Sequence, residues 1–201
     1  MKFKQKMPPA LTGKAQAAMV LIVTCAAVLT APPVAAQTSA SPAVSLVAVA
    51  EGLKNPWAVA FLPQGQFLVT ERTGQMRVVS PSGQVGAPVA GLPAIATGGQ
   101  GGLLDVVTDA AFESNRRIFF CFSAPAAPGA RGNSTALARA TLSADARSLQ
   151  DVKVIFSQQP KVESSLHFGC RIVQAPDGNL FLTLGERYHR KDDAQKLDNH
   201  H

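Results

Sequence analysis

Short runs of β-branched and aromatic residues, each closed by a turn signal, fill the chain from about residue 51 onward. The runs fall at 57–62, 67–70, 76–79, 103–107, 117–122, 136–140, 152–156, 171–173 and 180–184. Pro63-Gln64-Gly65, Arg72-Thr73-Gly74, Pro81-Ser82-Gly83 and Pro176-Asp177-Gly178 punctuate them. Strands of this length joined by Gly/Pro turns predict an all-β fold. No segment carries a sustained 3.6-residue apolar period, and Pro and Gly interrupt the alanine-rich stretches.

The pattern repeats. Residues 58–72, from Ala58 to Glu71-Arg72, resemble 172–187, from Ile172 to Glu186-Arg187; Pro63 and Pro176 stand 113 residues apart, as do Gly65 and Gly178. A degenerate copy with a longer turn lies between them, at 104–120, so the period is near 56. Antiparallel strands repeating at this scale predict a β-propeller, whose blades bury their faces against one another. Residues 37–201 hold about three such blades, whereas closed propellers have roughly four to eight. Residues 51–201 are therefore expected to form the N-terminal half of a larger propeller domain, unstable and inactive alone. A compact domain of three sheets is the alternative.

Residues 1–36 read differently. Lys2, Lys4, Lys6 and Lys14 precede an apolar run at 17–29 and the small-residue sequence Pro32-Pro33-Val34-Ala35-Ala36. This is the order of a secretory signal peptide cleaved after Ala36, and the run is shorter than the roughly 20 residues of a membrane span. Residues 37–50 read as a flexible N-terminal segment, and the mature chain as periplasmic or secreted with no membrane span. Four of the 19 Lys and Arg residues and none of the 13 acids lie in 1–36, so the formal charge falls from +6 to +2. That leaves no electrostatic case for nucleic acid. Cys121 and Cys170 remain, enough for one disulfide. Cys121 sits inside Ile118-Phe119-Phe120-Cys121-Phe122, a setting that favours a buried free thiol.

Candidate chemistry gathers near the last strands. His167 and Arg171 lead one apolar run, and Glu186 ends the next. An imidazole exchanges protons near neutral pH, a carboxylate can orient it, and a guanidinium holds anions. Arg171, four residues past His167, would share its side of a strand; pairing with Glu186 is an equal alternative. Gln100 lies in Gly99-Gln100-Gly101-Gly102, which lacks the Rossmann and P-loop spacings. Trp57 is expected to pack in the first blade. Glu71, repeat-related to Glu186, warns that this acid can be scaffold.

The segments 53–63, 99–106, 167–171 and Leu184-Gly185-Glu186 resemble the glucose/sorbosone dehydrogenases, and more closely the periplasmic aldose sugar dehydrogenases of bacteria. The resemblance implies a six-bladed β-propeller that holds pyrroloquinoline quinone (PQQ) and calcium. It implies oxidation of an aldose sugar at C1 to the lactone, with electrons passed on to an external acceptor, a quinone or a cytochrome. His167 matches the catalytic base and Glu186 the acid beside it. Gln100 matches a residue lining the quinone and substrate pocket, and Arg171 would pair with a cofactor carboxylate. No metal ligand is assigned, because the calcium ligands are expected beyond residue 201. Two other readings stand beside this one. The first is a non-catalytic sugar- or protein-binding propeller. The second is a metal hydrolase using His167, His189, His200 and His201, which the absence of a standard zinc spacing disfavours.

Overall fold

The computed structural model describes residues 44–201; the segment expected to be a signal peptide and half of the 37–50 segment lie outside them. Strands β1 (Pro56–Phe61), β2 (Phe67–Glu71), β3 (Gln75–Val79) and β4 (Val85–Pro88) form an antiparallel sheet in sequential order. A second sheet repeats this order with β5 (Leu103–Thr108), β6 (Arg117–Pro125), β7 (Asn133–Leu142) and β8 (Leu149–Ser157). Strands β9 (Gly169–Gln174) and β10 (Leu180–Leu184) begin a third. The all-β expectation holds: the described residues make two four-stranded blades of a β-propeller and the first two strands of a third. A four-residue helix, α1 (Phe112–Asn115), sits in the long turn between β5 and β6.

Each predicted run falls on a strand, and β4 is the strand the pattern missed. Its sequence Val85-Gly86-Ala87-Pro88 has no alternation, and Pro is tolerated there because β4 is an edge. The period also resolves into unequal steps. First strands begin at 56, 103 and 169, so the 113-residue offset is a short step followed by a long one. The longer step contains β7 and β8, of 10 and 9 residues, where the first blade has 5 and 4 in β3 and β4.

Strand β6 shows why the second blade does not alternate. Ile118, Phe120 and Phe122 join a core with Leu68, Met76 and Leu103 of the preceding strands, whereas Phe119 and Cys121 join Phe168, Cys170 and Ile172. With both faces covered, successive residues are all buried, and each large apolar side chain contributes about 1.5–3 kcal/mol. Two buried threonines add cross-blade hydrogen bonds: Thr70 Oγ1 donates to the Leu104 carbonyl (2.6 Å) and Thr135 Oγ1 to the Phe168 carbonyl (2.7 Å).

The same geometry corrects the reading of the cysteines. Cys121 and Cys170 form a disulfide, with Cα atoms 6.0 Å apart. The apolar surroundings of Cys121 pointed to a free thiol because its own run shows only one wall of the interface. Cys170, on the facing strand, is the other. Trp57 stands in the first blade, at the irregular start of β1, but is 46% exposed rather than packed in its core. No helix among the described residues is long and apolar enough to cross a membrane.

Candidate active site at the third blade

Each blade opens with the same corner. The residue leading into the first strand offers its carbonyl to an N–H at the end of the second strand: Arg72 to Asn55 (3.0 Å), Ser123 to Gly102 (2.9 Å), Arg187 to His167 (3.3 Å). These carbonyl-bearing residues have positive φ, at 50° for Asn55, 149° for Gly102 and 48° for His167. Left-handed backbone is costly for a residue with a Cβ, so Asn or Gly is the ordinary occupant. The third corner alone carries a histidine. Gly185 makes it possible, since a Cβ there would lie 2.1 Å from the His167 carbonyl oxygen.

The imidazole meets a carboxylate. His167 Nδ1 lies 2.6 Å from Glu186 Oε1, the two side chains being 40% and 25% exposed. The hydrogen bond from His167 holds the Glu186 carboxyl below its ordinary value, against a smaller opposing effect of burial. An ionised carboxylate only accepts, so Nδ1 must donate, and in the neutral ring Nε2 keeps its lone pair. Tyr188 packs edge-on to the imidazole at 5.5 Å.

Glu71 completes the contrast. It is fully buried, accepting from the Lys54 N–H (2.6 Å) and from Arg77 Nε (2.9 Å). In the first blade this acid closes a scaffold corner. In the third, the corresponding acid is turned to a titratable ring and reaches solvent.

Gln100 joins the site from the second blade. Its Oε1 accepts the His167 N–H (2.8 Å), and its own N–H donates to the Ser165 carbonyl (2.8 Å). The glycines around it serve the protein as well as any ligand. A Cβ at Gly99 would strike Ser165, one at Gly101 Phe168, and one at Gly102 the Arg72 carbonyl, whereas Gly98 faces open space.

Arg171 meets a buried acid. Its Nη1 donates to Asp105 Oδ1 (2.9 Å), and Asp105 Oδ2 accepts the Ile172 N–H (2.8 Å). The alternative pairing with Glu186 is not formed. Nor does period-two alternation run from His167 to Arg171, because His167, Gly169 and Cys170 all have positive φ and β9 begins only at Gly169. The histidines are not gathered: His200 Nδ1 accepts from the Gln159 N–H, and His201 Nε2 contacts the Pro160 carbonyl. Among the described residues no group of three or more His, Cys, Asp or Glu is placed to hold a metal ion.

The family described as Glucose / Sorbosone dehydrogenase matches residues 53–201. The chain belongs to this family. Aldose sugar dehydrogenase YliI of Escherichia coli is 39% identical over 161 residues, covering 79% of this chain and 43% of that protein. The soluble aldose sugar dehydrogenase of E. coli in its apo-form superposes with a TM-score of 0.68 at 38% identity, over 75% of this chain and 43% of that one. The PQQ-bound aldose sugar dehydrogenase of Streptomyces coelicolor gives 0.60 at 26% identity, over 71% and 41%. The chain thus spans less than half the length of these relatives.

Within this family member, sequence reasoning passed over two residues of the corner. Arg187 is fully buried, and burial pushes its guanidinium down to about 10. Asp105 is buried under Arg171. The arginine was visible only as half of a repeated Glu-Arg pair; apart from Asn133 Oδ1 its partners are backbone carbonyls, which leave no mark in a sequence.

Proposed function

We propose that the protein oxidises an aldose sugar at C1 to the lactone, with PQQ as cofactor, His167 as the base and Glu186 as the acid that orients it. The observation that carries this reading is the His167–Glu186 hydrogen bond, built into a corner that is scaffold in the first blade. Membership of the family and the resemblance to a PQQ-bound relative support it.

The residues fit a quinone that carries carboxylates. The Arg171 side chain is 66% exposed and spends only Nη1 on Asp105, which leaves N–H donors for an anion. Gln100 has committed its oxygen and keeps its amide N–H groups, and Gly98 leaves backbone open. When bound, PQQ supplies the hydride acceptor. The chain supplies the proton handling. Glu186 holds Nδ1–H, so Nε2 faces the substrate as a lone pair and takes the C1 hydroxyl proton. The resulting imidazolium is stabilised by the carboxylate 2.6 Å away. Gln100 fixes the His167 backbone, so the ring stays in place without rearrangement. The proposal extends to calcium, with ligands outside the described residues, to an external quinone or cytochrome as electron acceptor, and to a periplasmic or secreted location.

The test is dye reduction by the full-length protein reconstituted with PQQ and calcium, across a panel of aldoses. Wild type is expected to reduce the dye, and His167→Asn to lose at least about 100-fold in kcat, the scale of a positioned general base. No turnover with any aldose, or an H167N variant as fast as wild type, would refute the assignment.

A further inference from the structure

Arg187 is a buried cation without a carboxylate partner among the described residues. Its Nε donates to the Leu166 carbonyl (2.9 Å), Nη1 to the Asn133 carbonyl (2.9 Å), and Nη2 to Asn133 Oδ1 (2.7 Å) and the Ser164 carbonyl. The guanidinium also stacks on Phe168, 3.7 Å from the ring centroid. Burying an unpaired charge is unfavourable, and neutral acceptors compensate it only in part. Every one of these partners except Asn133 lies in residues 164–168, on either side of His167. Asn133 opens β7 and is a fixed point in the second blade.

The grip is geometric. Carbonyls at Ser164 and Leu166 and the ring of Phe168 meet one planar fork, whose donor directions are rigid. The same residue directs its backbone N–H to the His167 carbonyl and is bonded through the chain to Glu186. One side chain therefore fixes the segment carrying the imidazole, while its backbone carries the carboxylate. Backbone at His167, Arg187 and Tyr188 is left-handed, a conformation that the surroundings must enforce.

We propose that Arg187 is a positioning residue that sets the His167–Glu186 hydrogen bond by clamping residues 164–168 to Asn133. Its importance for turnover rests on the function proposed above; its effect on geometry does not. Lys161, half-buried and donating to the Ala124 carbonyl and to Ser134 and Ser157, is a second cation nearby, and burial followed by the Arg187 charge holds its ammonium below the ordinary value.

The experiment compares wild type, Arg187→Lys and Asn133→Ala in the full-length protein. Lysine keeps the charge and loses the fork. Asn133→Ala leaves the arginine in place with one acceptor fewer, and so carries the test if R187K does not fold. The first readout is the downfield Nδ1–H proton resonance of His167 in the cofactor-free protein, assigned by its loss in H167N. The second is kcat and KM after reconstitution. Folded variants are expected to broaden or lose the resonance, N133A less than R187K. In R187K kcat should fall about 100-fold with KM changed little, the effect of a misplacement near 1 Å. A folded R187K or N133A with the wild-type resonance would overturn the proposal. Loss of the resonance in R187K, while H167N turns over normally, upholds the positioning role and removes the catalytic reading of His167 instead.

Discussion

Replacing Cys121 and Cys170 together by alanine removes the covalent tie between the second and third blades. The bond closes a segment with a sequence separation of 49 residues. In the chain-entropy model a loop of that size restrains the unfolded chain by about 4 kcal/mol, with 2–4 kcal/mol the usual measured range. Both side chains are buried, so the deleted sulfur atoms also leave unfilled space and add to the loss. The assay is guanidinium unfolding of the full-length protein, followed by far-UV circular dichroism, with and without dithiothreitol. The double variant is expected to lose about 4 kcal/mol in oxidising buffer. Reductant should bring wild type most of the way down, leaving it above the variant by the packing of the two buried sulfurs, and should leave the variant unmoved. Hydrogen exchange should rise first at residues 164–170, because Cys170 anchors the strand that His167 leads. The reasoning fails if unreduced, unfolded wild type is alkylated at Cys121, or if reductant lowers variant and wild type equally.

Three further outcomes can be checked independently. The Glu186 carboxyl is held below its ordinary value of about 4.5 by the His167 hydrogen bond, so its stabilisation is present above that value and lost as pH falls through the depressed one. The stability difference between wild type and Glu186→Gln should therefore shrink between pH 6 and pH 3 in denaturant titrations; a constant difference would contradict this. Thr135→Val strands the buried Phe168 carbonyl and should cost about 1–3 kcal/mol by the same method, with no cost if that oxygen finds another donor. Arg171→Ala should weaken PQQ binding, measured by fluorescence titration, by about 1.5–3 kcal/mol, roughly tenfold or more in Kd; an unchanged Kd would confine Arg171 to its pairing with Asp105.

Strand positions were readable because a strand needs only local alternation and a turn, and both are written in adjacent residues. Where a strand lacked these marks, as in Val85-Gly86-Ala87-Pro88, it went unread. The pairing of His167 with Glu186 was legible through the family resemblance, and the repeat-related Glu71 was rightly suspected of scaffold duty. The expectation that Arg171 shares a strand side with His167 counted alternation through a segment whose backbone turns left-handed three times, and its pairing with Asp105 left no local mark. Arg187 escaped notice because it bonds mainly to backbone carbonyls, and its one side-chain partner, Asn133, is uncharged and 54 positions away.

By itself the sequence determined the all-β class, the repeating blade and the residues able to move a proton. These follow from short-range rules of propensity, period and ionisation. Packing decided the rest. The facing surfaces of the second and third blades made a disulfide out of two distant cysteines, and one buried guanidinium tied the histidine's segment to the neighbouring blade. Both depend on contacts between residues 20 to 55 positions apart, which only closure of blade against blade brings within bonding distance.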